Sequence, residues 1–294
     1  MSAAAAPGRP KQGVAPSGGS AAHAVASVGA SGPAPGRPQA SLHRSAKHEG
    51  TPMSHSSHPT LHIDGRVATI TLRRPAEHNR IDPDDPKVIL RLLEEVEAES
   101  GVAVLVVTGE GNRTFCSGYT LTQISSRLDR SFEDMLDRIE AVKVPTLCLM
   151  NGSAYGGGTD LAMSCDFRIG VQGIRMFMPA AKFGLHYYPG GLRRFVTRLG
   201  PGPTKKIFLT GQTLQADEML RIGFLTELVD PAEVSRTVQS YVEAIAQCEP
   251  GAVASMKLHI DQLAQGTWSE EIGRHAYERS LRSKATALRL ATLK

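Results

Sequence analysis

Three consecutive glycines, Gly156, Gly157 and Gly158, are followed after a single threonine by a carboxylate, Asp160. The run before them, Pro145 to Met150, is short and apolar, Asn151-Gly152 punctuates it, and small residues continue past Asp160. The pattern reads as strand, tight turn, helix. The first N–H groups of a helix have no partner within it, glycine lets another group approach them, and the helix start carries partial positive charge. Such a turn faces negative charge. A phosphate and an oxyanion both fit that description. The Lys-Ser/Thr of a phosphate loop is missing, however, and the unbroken glycine triplet does not match the Gly-x-Gly-x-x-Gly spacing of dinucleotide binding. Asp160, on the first helical turn, would repel a phosphate. It suits a proton-transfer group beside a developing enolate.

The elements that must hold this turn are an alternation of strands and helices. Leu61–Ile63 and Val67–Leu72, joined by Asp64-Gly65, read as a hairpin. Asp82 is placed to cap a helix from Pro83 to about Ser100, and Val102 to Val107 is a buried strand. A helix is expected from Leu121 to about Val142, with Ile124, Leu128, Phe132, Met135, Leu136 and Ile139 on one stripe. Short strands follow the glycine turn at Phe167–Val171 and Arg175–Met178, then an aromatic loop from Pro179 to Gly191. Helices are expected over 191–199, 202–209, 215–222, 231–247, 250–265 and 268–290. This alternation implies an α/β fold with a largely parallel sheet.

Residues 1–58 differ in kind, being rich in Ala, Gly, Ser and Pro. They cannot bury a core and are read as a disordered low-complexity tail. The formal charge of +4 lies there, since setting aside its five basic residues and one acid leaves 28 of each sign. A neutral folded part argues against nucleic-acid binding by electrostatics. An acid-poor, Arg/Ser-containing leader fits an organelle transit peptide, but an idle tail or a true start at Met53 is favoured because no amphipathic helical pattern is present. No apolar run reaches membrane-spanning length, so a protein of the cytoplasm with no membrane partner is expected. Cys116, Cys148, Cys165 and Cys248 show no metal-like pairing. Reduced thiols and no metal site are expected.

Four motifs in order resemble the enoyl-CoA hydratase/isomerase (crotonase) superfamily, from about His62 to Asp230. They are Thr71-Leu-Arg-Arg-Pro75 with Asn79; Phe115-Cys-Ser-Gly-Tyr-Thr-Leu121; Asn151-Gly-Ser-Ala-Tyr-Gly-Gly-Gly-Thr-Asp-Leu161 with Cys165-Asp166; and Leu209-Thr-Gly with Ala216, Glu218 and Gly223-Phe-Leu225. The resemblance implies a spiral of ββα units over 59–230, followed by a helical lobe over 231–294 that packs against neighbouring subunits in a homotrimer or hexamer. It implies an acyl-CoA thioester as substrate, with no separate cofactor, in fatty-acid metabolism. The thioester oxygen would sit between the backbone N–H groups of Tyr119 and Gly157. Donors of this kind are worth about 2.7–4 kcal/mol each when aimed at the transition-state oxygen. CoA would be held by His78, Asn79 and Arg80 and by the loop carrying Ser117, Tyr119 and Leu121.

The side chains depart from the hydratase pattern that the resemblance brings with it. Hydratases of this superfamily hold water between two glutamates; Asp160 stands at the first position and Ala180 at the second. Shortening retracts a carboxylate by about 1.5 Å, and a misplacement near 1 Å costs about a hundredfold in rate. Losing the second acid weighs more against hydration, whereas a single acid/base suffices to move a double bond. Lys182, His186, Tyr187 and Tyr188 are the replacement candidates in the loop. His186 suits either a proton shuttle or a surface position. Tyr187 is similar in placement to a tyrosine of methylmalonyl-CoA decarboxylase, which makes decarboxylation the alternative reaction, and it equally suits packing. A homologue that binds acyl-CoA without turnover is the third reading, motivated by Ala180. Asp166 and Arg194 match structural positions of the family, and the basic residues Arg279, Arg282, Lys284 and Arg289 read as a solvated helix face.

Overall fold

The computed structural model describes residues 57–292. The expected tail over residues 1–58 lies outside the described residues apart from Ser57 and His58. Ser54–Lys294 is one compact unit, so the C-terminal helices continue the body that holds the strands.

The chain opens with the expected hairpin, β1 (Thr60–Asp64) antiparallel to β2 (Val67–Leu72). Helix α1 (Asp85–Ala98) follows, burying Ile89, Leu92, Leu93 and Val96 at helical spacing. Asp82 is not its cap, a correction with a local cause. The Asp82 carboxylate is drawn to Arg80 and Thr120, and Asp85 instead accepts from the Asp82 backbone N–H. From β3 (Val104–Gly109) onward the chain winds as a spiral, each turn giving one strand to each of two sheets. The six-stranded sheet runs β1-β2-β3-β5-β7-β10, and the four-stranded sheet runs β4-β6-β8-β9. The first turn adds β4 (Thr114–Cys116), the second β5 (Thr146–Met150) and β6 (Ser153–Tyr155), and the third β7 (Phe167–Val171) and β8 (Arg175–Phe177). Strands β9 (Leu214–Gln215) and β10 (Glu227–Val229) close the two sheets. The neighbours β2, β3, β5, β7 and β10 are parallel, as are β4, β6 and β8.

Between β4 and β5 the single expected helix is broken. Here α2 (Ile124–Arg127) ends at Leu128, whose backbone is extended, and α3 (Arg130–Glu140) starts afresh because the Asp129 side chain accepts from Ser131 N–H. An N-cap aspartate outweighs a continuous apolar stripe. After β6 come α4 (Gly157–Met163), α5 (Pro189–Leu199), α6 (Pro201–Lys205), α7 (Ala216–Arg221), α8 (Val234–Ala246) and α9 (Pro250–Gln265). The expected last helix is split in the same way, with Ser283 capping α11 (Lys284–Ala291) after α10 (Glu270–Leu281). Strands β4, β6, β9 and β10 have two or three residues each, too short for a periodic signal.

Cys116, Cys148 and Cys165 are buried free thiols and Cys248 is exposed. Burial pushes the Cys116 thiol up to about 12, which leaves it protonated and inert. Among the described residues no group of three or more metal-ligating side chains gathers, and no helix is long and apolar enough to cross a membrane.

Candidate active site

Three neighbouring parallel strands of the small sheet, β4, β6 and β8, end on one side and release three loops: 117–120, 156–157 and 178–180. Ligands of parallel sheets collect beyond these carboxyl ends. The loops wall a cavity of about 620 Å³, closed on the other sides by α2, the start of α3 and the stretch from Phe183 to Tyr188.

The first two loops touch. A methyl group added at Gly118 would stand 2.6 Å from Gly157 N and 3.0 Å from Gly158 N, and Gly118 has φ +84°. Glycine is therefore required here by space and by backbone conformation. Beyond it, Tyr119 lies in an isolated parallel bridge to Ile81, with Ile81 N–H donating to Gly118 O and Thr120 N–H to Ile81 O. That pattern leaves the Tyr119 N–H pointing away from the bridge. Neither it nor the Gly157 N–H, the first of α4, has an acceptor among the described residues. Both residues line the cavity.

The turn at residues 78–81 sets the first loop. Asn79 is buried at φ +51°; its amide donates to Thr114 O (2.7 Å) and Glu110 O (2.9 Å) and its oxygen accepts from Arg74 N–H. His78 Nδ1 lies 2.9 Å from Thr114 Oγ1, while Arg80 pairs with Glu77 (2.6 Å) and Asp82 (2.7 Å). Of these three residues, expected to hold CoA, His78 and Asn79 tie the turn to β4 and Arg80 stays paired within the turn; all three lie outside the cavity wall. Ser117, Tyr119, Leu121, Gly157, His186 and Tyr187 all line it, with His186 exposed at the rim.

Asp160 lies behind the wall. Its side chain is fully buried, and its two oxygens accept from Arg194 Nε (2.9 Å) and Nη2 (3.2 Å), from Tyr187 OH (3.1 Å) and from Tyr188 OH. The two tyrosine rings stack with centroids 4.5 Å apart and separate the carboxylate from the cavity. Burial raises both phenol pKa values and the nearby Asp160 charge raises them further, so both hydroxyls stay protonated and donate. Arg194 is fully buried; burial works against its charge, but Asp160 more than restores it and the guanidinium sits above its ordinary range. Its third nitrogen, Nη1, donates to Asp137 (2.6 Å) on α3 and lies 3.5 Å from Glu140. The sequence expectation of a carboxylate open to substrate is thus revised in geometry. An ion pair from α5, 34 residues on, holds it. Tyr187, expected to meet a departing carboxylate, spends its hydroxyl on Asp160. Ala180 is 3% exposed and gives the wall an apolar face.

Residues 62–286 match the family model for enoyl-CoA hydratase/isomerase, more than half of the chain. The chain belongs to the enoyl-CoA hydratase/isomerase family. It is similar to the short-chain-enoyl-CoA hydratase of Clostridium acetobutylicum, 31% identical over 209 residues, covering 69% of this chain and 80% of that protein. It is also similar to the crotonyl-CoA hydratase of Syntrophomonas wolfei, 30% identical over 181 residues, covering 59% and 70%. A crystal structure of an enoyl-CoA hydratase/isomerase family member superposes with a TM-score of 0.75 at 24% identity, covering 81% of this chain and 94% of that one. The two-sheet spiral is the fold of this family, as the motifs led one to expect.

Proposed function

We propose that the protein catalyses movement of a double bond in an acyl-CoA thioester, or a related hydratase-like lyase reaction, through an enolate stabilised by the N–H groups of Tyr119 and Gly157. The observation that carries this reading is the pair of unused backbone donors on loops that touch at Gly118, facing a largely apolar cavity. A thioester oxygen gaining charge there would exchange water for two fixed dipoles. Ala180 leaves no second acid to hold and activate water at the hydratase position, which favours isomerisation over hydration. Asp160 acts in this scheme by holding Tyr187 and Tyr188, whose rings form part of the cavity wall. The thioester is substrate and no further cofactor takes part. CoA lies along the Ser117–Leu121 loop, with His78 and Asn79 bracing the turn beside that loop and with Arg80 in the turn and Arg130 on the cavity lining as cations for a phosphate.

A homotrimer or hexamer in the cytoplasm is the proposed state. Met256, Ile260 and Leu263 on α9 and Ile272 and Leu281 on α10 are each more than half exposed, an apolar surface suited to a second copy.

The test is a panel of 2-enoyl-, 3-enoyl- and malonyl-type CoA thioesters. Conversion of the 3-enoyl to the 2-enoyl compound is expected, without loss of carbon dioxide from the malonyl type. Asp160→Asn is expected to lower kcat by about tenfold or more with little change in CoA affinity, since the hydroxyls lose a charged acceptor. Tight CoA binding with no turnover of any thioester would sink the catalytic reading and leave a binding protein.

A further inference from the structure

Helix α3 carries three acids at i, i+4 and i+7: Glu133, Asp137 and Glu140. They form a line along one flank of its apolar stripe, facing α5. The lower two are neutralised. Asp137 meets Arg194, and Glu140 is shared by Arg193, Arg194 and Arg198. Glu133 is the exception. Among the described residues it has no cation within ion-pair distance and no hydrogen-bond donor, although it is half-buried. Its carboxylate lies near the start of α5, 3.3 Å from where a methyl on Gly190 would stand, and the residue lines the same cavity as Tyr119 and Gly157. Phe132, its neighbour in sequence, packs against Gly157 itself. Asp129, the other acid on the lining, caps α3. Glu133 is thus the one acid of this line whose carboxylate is left without a partner at the cavity.

We propose that Glu133 is the group that moves the proton in this cavity. The proposal rests on the thioester reading above and names its acid/base. A Glu133 oxygen takes the proton from the substrate carbon next to the thioester. The C–H electron pair becomes a carbon–carbon π bond while the carbonyl π pair moves onto oxygen, held by the Tyr119 and Gly157 N–H groups. Collapse of the dienolate re-forms the carbonyl, and the protonated Glu133 returns its proton two carbons further along, where the old double bond ended. Atoms and charge balance with no co-reactant. One carboxylate serves both ends because it is charged in the first half and neutral in the second.

The experiment compares wild type, Glu133→Gln and Glu133→Asp with a 3-enoyl-CoA thioester, following double-bond movement and, in D2O, deuterium at the carbon two positions beyond the one next to the thioester, where the protonated group delivers. Wild type is expected to turn over and to wash in deuterium. Glu133→Gln is expected to lose about a hundredfold in kcat and the deuterium signal together, with KM and melting midpoint unchanged. Glu133→Asp should recover part of the rate and part of the deuterium signal, both of which the glutamine variant lacks. Equal kcat and equal exchange in wild type and Glu133→Gln would remove Glu133 from the reaction while leaving the thioester reading intact. A wild type that binds the thioester but neither converts it nor exchanges its proton would overturn both.

Discussion

Gly118→Ala is expected to lower kcat/KM by about a thousandfold while costing at least the ~1–2 kcal/mol of stability that a left-handed L-residue loses. The two numbers have different origins, which is what makes the experiment decisive. At φ +84° an alanine pays the left-handed penalty of an L-residue, a modest and local cost. Its methyl, however, would stand 2.6 Å from Gly157 N and 3.0 Å from Tyr155 O, both backbone atoms that cannot rotate aside. The loop carrying Tyr119 must then retreat from the loop carrying Gly157, and the two donors of the proposed oxyanion site are pulled apart. Loss of one such donor costs about 10²–10³ in rate, and this substitution disturbs both. Denaturant unfolding and steady-state kinetics on the same preparation check it. A rate that falls only in proportion to the unfolded fraction would show that the pair of N–H groups is not where catalysis resides.

Arg194→Met is the substitution with the largest expected effect on folding, about 3–5 kcal/mol. Arg194 and Asp160 are both 0% exposed in their side chains, so methionine leaves Asp160 with two phenol donors and no countercharge. Asp137, 45% exposed, can turn to water, and Glu140 keeps Arg193 and Arg198. The loss is therefore concentrated at Asp160. The double variant Arg194→Met with Asp160→Leu should recover a good part of it, because removing both partners leaves no orphan charge. Urea unfolding of the two variants provides the check. A single variant as stable as wild type would mean that the ion pair contributes nothing net.

The glycine turn, its strand and its helix were legible in the sequence because the signal is local: an apolar run, then residues without side chains, then small helix formers. The site's electrostatics were not. Asp160 and Arg194 are 34 residues apart, and no periodicity links a residue on α4 to one on α5. Arg194 was legible as a structural residue through the family motif, but its partner was not. Glu133 is hidden in the sequence for a related reason. On an amphipathic helix an acid beside the apolar stripe reads as a solvated flank, and only the packing of α5 along that flank distinguishes the two acids that are neutralised from the one that is not. The spacing of Glu133, Asp137 and Glu140 was in the sequence all along. The breaks at Asp129 and Ser283 are also local, each at a residue whose side chain caps the helix that follows; across Asp129 the apolar stripe continues and masks the break. For the turn at 78–81, residue type suggested nucleotide contact, whereas Asn79 uses every side-chain polar atom on backbone groups.

Strands β4 and β6 run side by side, and the two N–H groups hang from their ends. Adjacent strands sit about 4.8 Å apart whatever their side chains. In the proposed reaction, polarising the carbonyl is thereby delegated to ladder geometry, which mutation of side chains scarcely touches, while the choice of what happens next would rest with the groups on the surrounding helices. Such a division of labour lets a lineage trade one reaction for another by repainting the chamber and never rebuilding its hinge-pin.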